Sequence, residues 1–232
     1  MRREYFSEYH YPQGLTLRVR TLYTGMMITC GMSIWFAVRD IAILEGISSR
    51  GFSSVDALKA AIETGRERAT SAYSAARAIW LGAFVGSLMW IWRMARNARA
   101  LSIARPKVTP EWAVFSHFIP IINLVAPYLA MREIVRCYTP KEDASDSPLL
   151  PYWALLVFHF LGAMLISIRG STAVTPADFI LLDKAIIFFE VVNIAAAIFF
   201  IAFTRYLVRK EALELDDVLD TDEEAAKWLW PT

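Results

Sequence analysis

Residues 112–135 read WAVFSHFIPIINLVAPYLAMREIV, and whether this stretch crosses a bilayer or turns back inside it decides the fold. It is free of charge from Trp112 to Met131, yet carries Pro120 and Pro127 seven positions apart. Proline has no amide hydrogen and its ring clashes with the preceding turn, so a helix here would strand the carbonyls of Ser116 and Asn123. Two such breaks argue against a straight span, and non-helical backbone at membrane depth must be shielded by protein or water. The stretch reads as a re-entrant element inside a helical bundle, with a fifth crossing as the alternative. From Pro127, suited to a first helical position, residues Met131, Ile134, Val135 and Tyr138 share a face turned away from Arg132, Glu133 and Arg136. That pattern suits an amphipathic helix at the interface.

The surrounding composition supports a membrane setting. Hydrophobic residues make up 56% of the 232, aromatics 13%, and mean hydropathy is +0.38, all high for a soluble globule. Four further stretches, 22–38, 78–92, 152–168 and 185–207, are of the same character, and up to Thr204 they carry one charged residue between them, Glu190. A span needs about 20 mostly apolar residues, and a helix satisfies its own backbone in lipid. The expected fold is therefore an all-α, polytopic helical membrane protein: four transmembrane helices plus the proline-broken segment 112–131, in one domain over 1–210. Ser53 with Asp56 three residues on resembles a capping box, and Val55, Leu58 and Ile62 recur at helical spacing, predicting an extramembrane helix near 54–69, lying on the membrane surface or running into the second span. Beyond Lys210 the chain carries eight acidic residues from Glu211 to Glu224, and 211–232 reads as a solvated acidic cytoplasmic tail with Trp228 and Trp230 as interface anchors. Tyr5, Phe6, Tyr9 and Tyr11 around His10 give the amino-terminal arm a similar aromatic character.

Charge distribution gives an orientation. With the amino terminus inside and 112–131 re-entrant, sixteen of the 24 Lys and Arg fall inside and eight outside. A crossing model divides them almost evenly, so the positive-inside rule favours four spans with both termini cytoplasmic, in a cell inner membrane. The formal net charge of +1 gives no electrostatic reason to expect nucleic acid. Cys30 lies mid-span and Cys137 in a separate segment, so both are expected as free thiols.

Chemistry-bearing residues are few. A charged side chain at the bilayer centre costs roughly 2.5–3.5 kcal/mol on insertion scales, which singles out Glu190, with Asn193 on the same helical face. Its expected state is protonated, in a polar contact, or paired with Arg39, Arg77 or Arg169. Gly82 and Gly86 form a small-xxx-small pair read as packing within the bundle. Arg93, Arg96 and Arg99 recur every three residues beside the second span, first as a topology signal and second as contacts for anionic lipid head groups. His117 and His159 read as hydrogen-bonded bundle residues. Metalloprotease, nucleophile-elbow and P-loop motifs do not occur, and the two cysteines lack metal-site spacing, so no enzyme activity and no cofactor is expected.

The run WIWRMARNARAL (Trp90–Leu101), including Asn97, followed by Pro110, Trp112 and FIPIINLVAPYLAMREIVR with Pro120, Asn123, Leu124, Pro127, Tyr128 and Glu133, resembles the bacterial membrane-protein family called domain of unknown function 4328. The resemblance extends over about Leu22 to Leu207 and is most specific from Trp90 to Arg136. It implies a multi-pass inner-membrane protein and no particular activity. The expected function is a non-enzymatic scaffold, with the lipid bilayer and a protein partner or second copy as its contacts. The alternative is a small transporter or channel using the broken segment and Glu190.

Overall fold

A computed structural model describes residues 9, 12–49, 55–101, 106–139, 147–172 and 175–221, without the side chains of 47–49, 55–75, 176 and 218–221. Every regular element among the described residues is helical. In order they are α1 (Gln13–Ser49), α2 (Val55–Leu101), α3 (Pro110–Phe115), two 3-10 turns (Ser116–Phe118 and Ile122–Leu124), α4 (Ala126–Tyr138), α5 (Leu149–Gly170) and α6 (Pro176–Thr221). Four of these helices contain segments long and apolar enough to cross a membrane: Gln13–Gly46, Ala76–Leu101, Leu149–Gly170 and Ala177–Asp217. The apolar stretches expected from sequence fall on them. The chain is thus an all-α membrane protein with four such helices.

The helix expected near 54–69 is continuous with the second span, as the sequence allows: α2 runs unbroken from Val55 to Leu101. One expectation changes. The acidic tail does not begin at Glu211: α6 continues to Thr221, with Glu211 and Leu215 buried at 1% and 5% exposure. At about 1.5 Å per residue, its 46 residues extend some 69 Å, over twice the roughly 30 Å hydrocarbon core. Its buried stripe, Phe200, Phe203, Leu207, Glu211, Leu215, keeps three-to-four spacing through the end of the apolar run. Packing therefore overrides the charge of the surrounding sequence. Residues 222–232, with Trp228 and Trp230, lie outside the described residues, as do Tyr5, Phe6, His10, Tyr11 and Ser53.

The chain divides into two compact units. The first comprises 1–21, 84–153 and 198–232. Its centre is Trp90, 0% exposed, whose ring meets Phe200 and Phe203 edge-on at 5.9 Å each, while Nε1 donates to Thr16 Oγ1 at 3.0 Å. Tyr152 packs on Phe200 at 4.9 Å. Burying an indole ring with its N–H satisfied gives the full hydrophobic return without an orphaned donor.

The proline-broken segment belongs to this unit and turns back on itself. Thr109 caps α3 by accepting from the Trp112 amide at 3.1 Å, with Pro110 in the first turn, where its missing N–H costs nothing. Helix ends after six residues. Ile122 N then bonds Pro120 O at 2.7 Å around Ile121, whose φ of 67° and ψ of −51° describe a strained γ-turn in a β-branched residue that is 83% exposed. Pro127 lies buried in the first turn of α4. The Glu133 carboxylate accepts from the Lys107 amide, closing the base, so the intervening chain returns to where it left. Two contacts along α2 measure its reach: Tyr138 Oη donates to Met94 O at 3.3 Å, and Phe118 meets the Phe84 ring at 6.0 Å. Ten helical residues separate these levels, about 15 Å or half a hydrocarbon core.

The second unit comprises 22–83 and 154–197. Here β-carbons on Gly25 and Gly82 would each lie 3.5 Å from Ile79 and Leu22, so α1 and α2 pack closely through small residues of one chain. Gly162 on α5 takes the Phe189 ring of α6 directly against its α-carbon. The α5–α6 turn is fastened by Arg169 to Asp178 at 3.3 Å, and Thr175 and Asp178 cap each other at the start of α6.

Candidate functional site

Two polar clusters stand out, one in each unit. In the first, Asn97 lies on the buried face of α2 one turn beyond Met94, and Glu211 occupies the buried stripe of α6. Both are almost wholly inaccessible, at 0% and 1%. Asn97 Nδ2 donates to Glu211 Oε1 at 2.6 Å, while Glu211 Oε2 has no hydrogen-bond partner. Arg93, one turn earlier on α2, lies within electrostatic reach of the carboxyl; its Nε is buried without a partner. Tyr138 completes the group. Burial first, and the Glu211 carboxyl second, hold its phenol well above the usual tyrosine range.

The cluster sits beside a small cavity lined by Tyr9, Pro12, Gln13, Val208 and Glu211 among others. A short amide-to-carboxyl bond in a dry site is strong and narrowly oriented. Chemically it can lock two helices together. It offers a ligand little, because its donors are turned inward.

Of the sequence-stretch residues, Asn97 is thus placed in a polar pair and Glu133 at the base of the hairpin. Asn123 is half-buried in the second 3-10 turn, where its amide donates to Ile119 O at 2.8 Å. Pro120 is exposed and Pro127 buried. His117 Nδ1 bonds Val114 O at 3.2 Å and its ring meets Trp153, whose Nε1 donates to Leu124 O at 3.0 Å. Arg93 turns inward toward Glu211, Arg96 lies over the Trp92 ring at 4.8 Å, and Arg99 is half-buried in the last turn of α2. The three arginines proposed for lipid head groups therefore do not form one outward row. Glu211 escaped the sequence reading because it opens an acidic run; its signal was the four-residue spacing to Leu207 and Leu215.

In the second unit Glu190 Oε2 accepts from Asn193 Nδ2 at 3.2 Å, and the Cys30 thiol lies within electrostatic reach of the same carboxyl. The three arginines considered for it are elsewhere: Arg39 lies over Trp35 at 5.9 Å, Arg169 pairs with Asp178, and Arg77 is exposed on α2. Among the described residues no Lys or Arg pairs with Glu190. His159 sits between Trp80, stacked at 5.8 Å, and Phe189 at 6.3 Å. Both cysteines are free and buried. Among the described residues no three His, Cys, Asp or Glu side chains converge as metal ligands would.

Comparison with curated proteins and with solved structures gave no match. The model of the family described as Domain of unknown function (DUF4328) matches residues 54–209, taking in the broken hairpin, Asn97, Glu133, Glu190 and Asn193, and the chain belongs to that family.

Proposed function

We propose that the protein is a non-enzymatic scaffold of a cell inner (cytoplasmic) membrane, presenting its first unit to a protein partner or a second copy on the cytoplasmic side, where both termini lie. The observation that carries this reading is the buried Asn97–Glu211 bond. It fixes the helical extension of α6 against α2 well past the apolar run, giving a stiff platform instead of a loose tail. The family-like residues are spent on internal fastening: Asn97 on Glu211, Glu133 on the Lys107 amide. A catalytic site would instead leave such groups converging on an open cleft. The sidedness rests on the excess of Lys and Arg flanking this unit, and Arg96 and Arg99 remain the candidates for anionic lipid contact.

In-cell crosslinking from Asp216 or Asp217, exposed on the α6 extension, should capture a discrete partner and lose it in Asn97→Ala. Cysteine labelling between Thr139 and Ser147 should occur only from the cytoplasmic side. Solute flux in proteoliposomes that disappears in Glu190→Gln would instead establish the transporter reading, which rests on the intramembrane carboxyl and the broken segment.

A further inference from the structure

Within the second unit, α5 and α6 leave an open-sided groove of about 240 Å³ whose walls include Ala163, Ile166, Ile186 and Phe189. Three polar side chains, His159, Ser167 and Glu190, line it. The imidazole Nδ1 is buried without a hydrogen-bond partner among the described residues, and the ring lies within electrostatic reach of Glu190. The Glu190 carboxyl accepts from Asn193 Nδ2 at 3.2 Å, and the Cys30 thiol lies within electrostatic reach of it. Among the described residues no Lys or Arg forms an ion pair with it. Seven residues earlier on α6, Asp183 lies within electrostatic reach of Asp40 on α1, and Lys184 follows it.

The rest of the lining is aromatic and apolar. Phe189 stands against Gly162, and Phe158 and Phe188 meet it at 5.5 Å and 5.2 Å. Ring faces attract cations, by about 2 kcal/mol or more when desolvated. A carboxyl among ring faces disfavours anions. It also lacks the several oxygen or nitrogen ligands that a bare metal ion requires. What fits is a cation that carries its own hydrophobic body, spreads its charge, and reaches the groove through the lipid.

We propose that the groove between α5 and α6 binds a lipophilic organic cation, with Glu190 as counter-charge and Phe189 and His159 as its aromatic and polar walls. This site is separate from the Asn97–Glu211 cluster, and binding requires no transport.

The test uses the full chain in nanodiscs of neutral phosphatidylcholine with radiolabelled tetraphenylphosphonium as probe. Saturable binding of one cation per chain is expected, weakened at least tenfold in Glu190→Gln. Ala163 is exposed on α5, so Ala163→Trp should fold with Glu190 intact yet fill the groove and abolish binding. That arm holds even if Glu190→Gln misfolds. Tetraphenylborate, of the same shape and opposite charge, should not bind saturably. Absence of saturable phosphonium binding, equal affinity in either folded variant, or equal binding of the borate would each overturn the proposal.

Discussion

Replacing Asn97 by alanine removes the single donor to a carboxyl that is 1% exposed and whose other oxygen already lacks a partner. A hydrogen bond between neutral groups contributes about 0.5–1.5 kcal/mol, and leaving a buried donor or acceptor without its partner costs about 1–3 kcal/mol. A loss of about 2 kcal/mol is therefore expected, roughly a 30-fold change in the folding equilibrium. Glu211→Gln keeps an oxygen that can accept from Asn97 and should cost less than about 1 kcal/mol. The double variant Asn97→Leu/Glu211→Met replaces both partners with apolar groups of similar size and should be less destabilised than Asn97→Ala alone. Reversible unfolding in mixed micelles on titration with dodecyl sulfate, followed by tryptophan fluorescence, reads all four chains, because Trp90 lies in the same core. A cost below about 0.5 kcal/mol for Asn97→Ala, or a double variant at least as destabilised as Asn97→Ala, would refute the view that this pair fastens α2 to α6.

Three further outcomes follow from particular contacts. Gly162→Ala places a methyl where the Phe189 ring now lies, and overpacking should cost about 1–3 kcal/mol in the same unfolding assay, largely recovered by adding Phe189→Leu. Ile121→Gly relieves the positive φ at an exposed turn and should raise stability by about 1 kcal/mol; an unchanged or lowered midpoint would count against strain there. Tyr138 is buried beside Glu211 with its pKa raised in the folded state, so its contribution is fully present below the unfolded value of about 10 and falls as pH climbs past it. Tyr138→Phe should flatten that alkaline decline, and an identical pH profile in the two proteins would argue against the assignment.

The fold was legible where composition alone decides structure. Uncharged stretches long enough to span, each helix-compatible, mark the four apolar helices, and the spacing of Pro120 and Pro127 marks the point where helix cannot continue. The closing contact of that hairpin was not legible, because a backbone amide at Lys107 leaves no trace in side-chain pattern. Glu133 could be singled out only through resemblance. At the polar clusters the sequence exposed one half of each arrangement. Asn97 and Glu190 were visible, the first as part of a family-like run and the second as a lone charge in an apolar stretch. Their partners were hidden by long-range geometry: Glu211 by its acidic neighbours, and Cys30 by its ordinary appearance mid-span. Glu190 illustrates the limit most clearly, since charge balance suggested arginine partners that the structure spends on Trp35 and Asp178.

The bond between Asn97 and Glu211 joins positions 114 apart, and Arg20 reaches Thr204 across 184 at 3.0 Å. Contacts so distant in sequence give the first unit a particular assembly order. Its earliest residues are synthesised first, yet Trp90 and Asn97 must wait for α6 before Phe200, Phe203 and Glu211 can cover them. A nascent chain that has inserted α1 to α5 therefore holds an uncapped amide and an open tryptophan face until the last helix arrives. Completion of this unit is in effect a proofreading step on the length of the chain, since a product ending before Ile198 has its spans begun and its keystone missing.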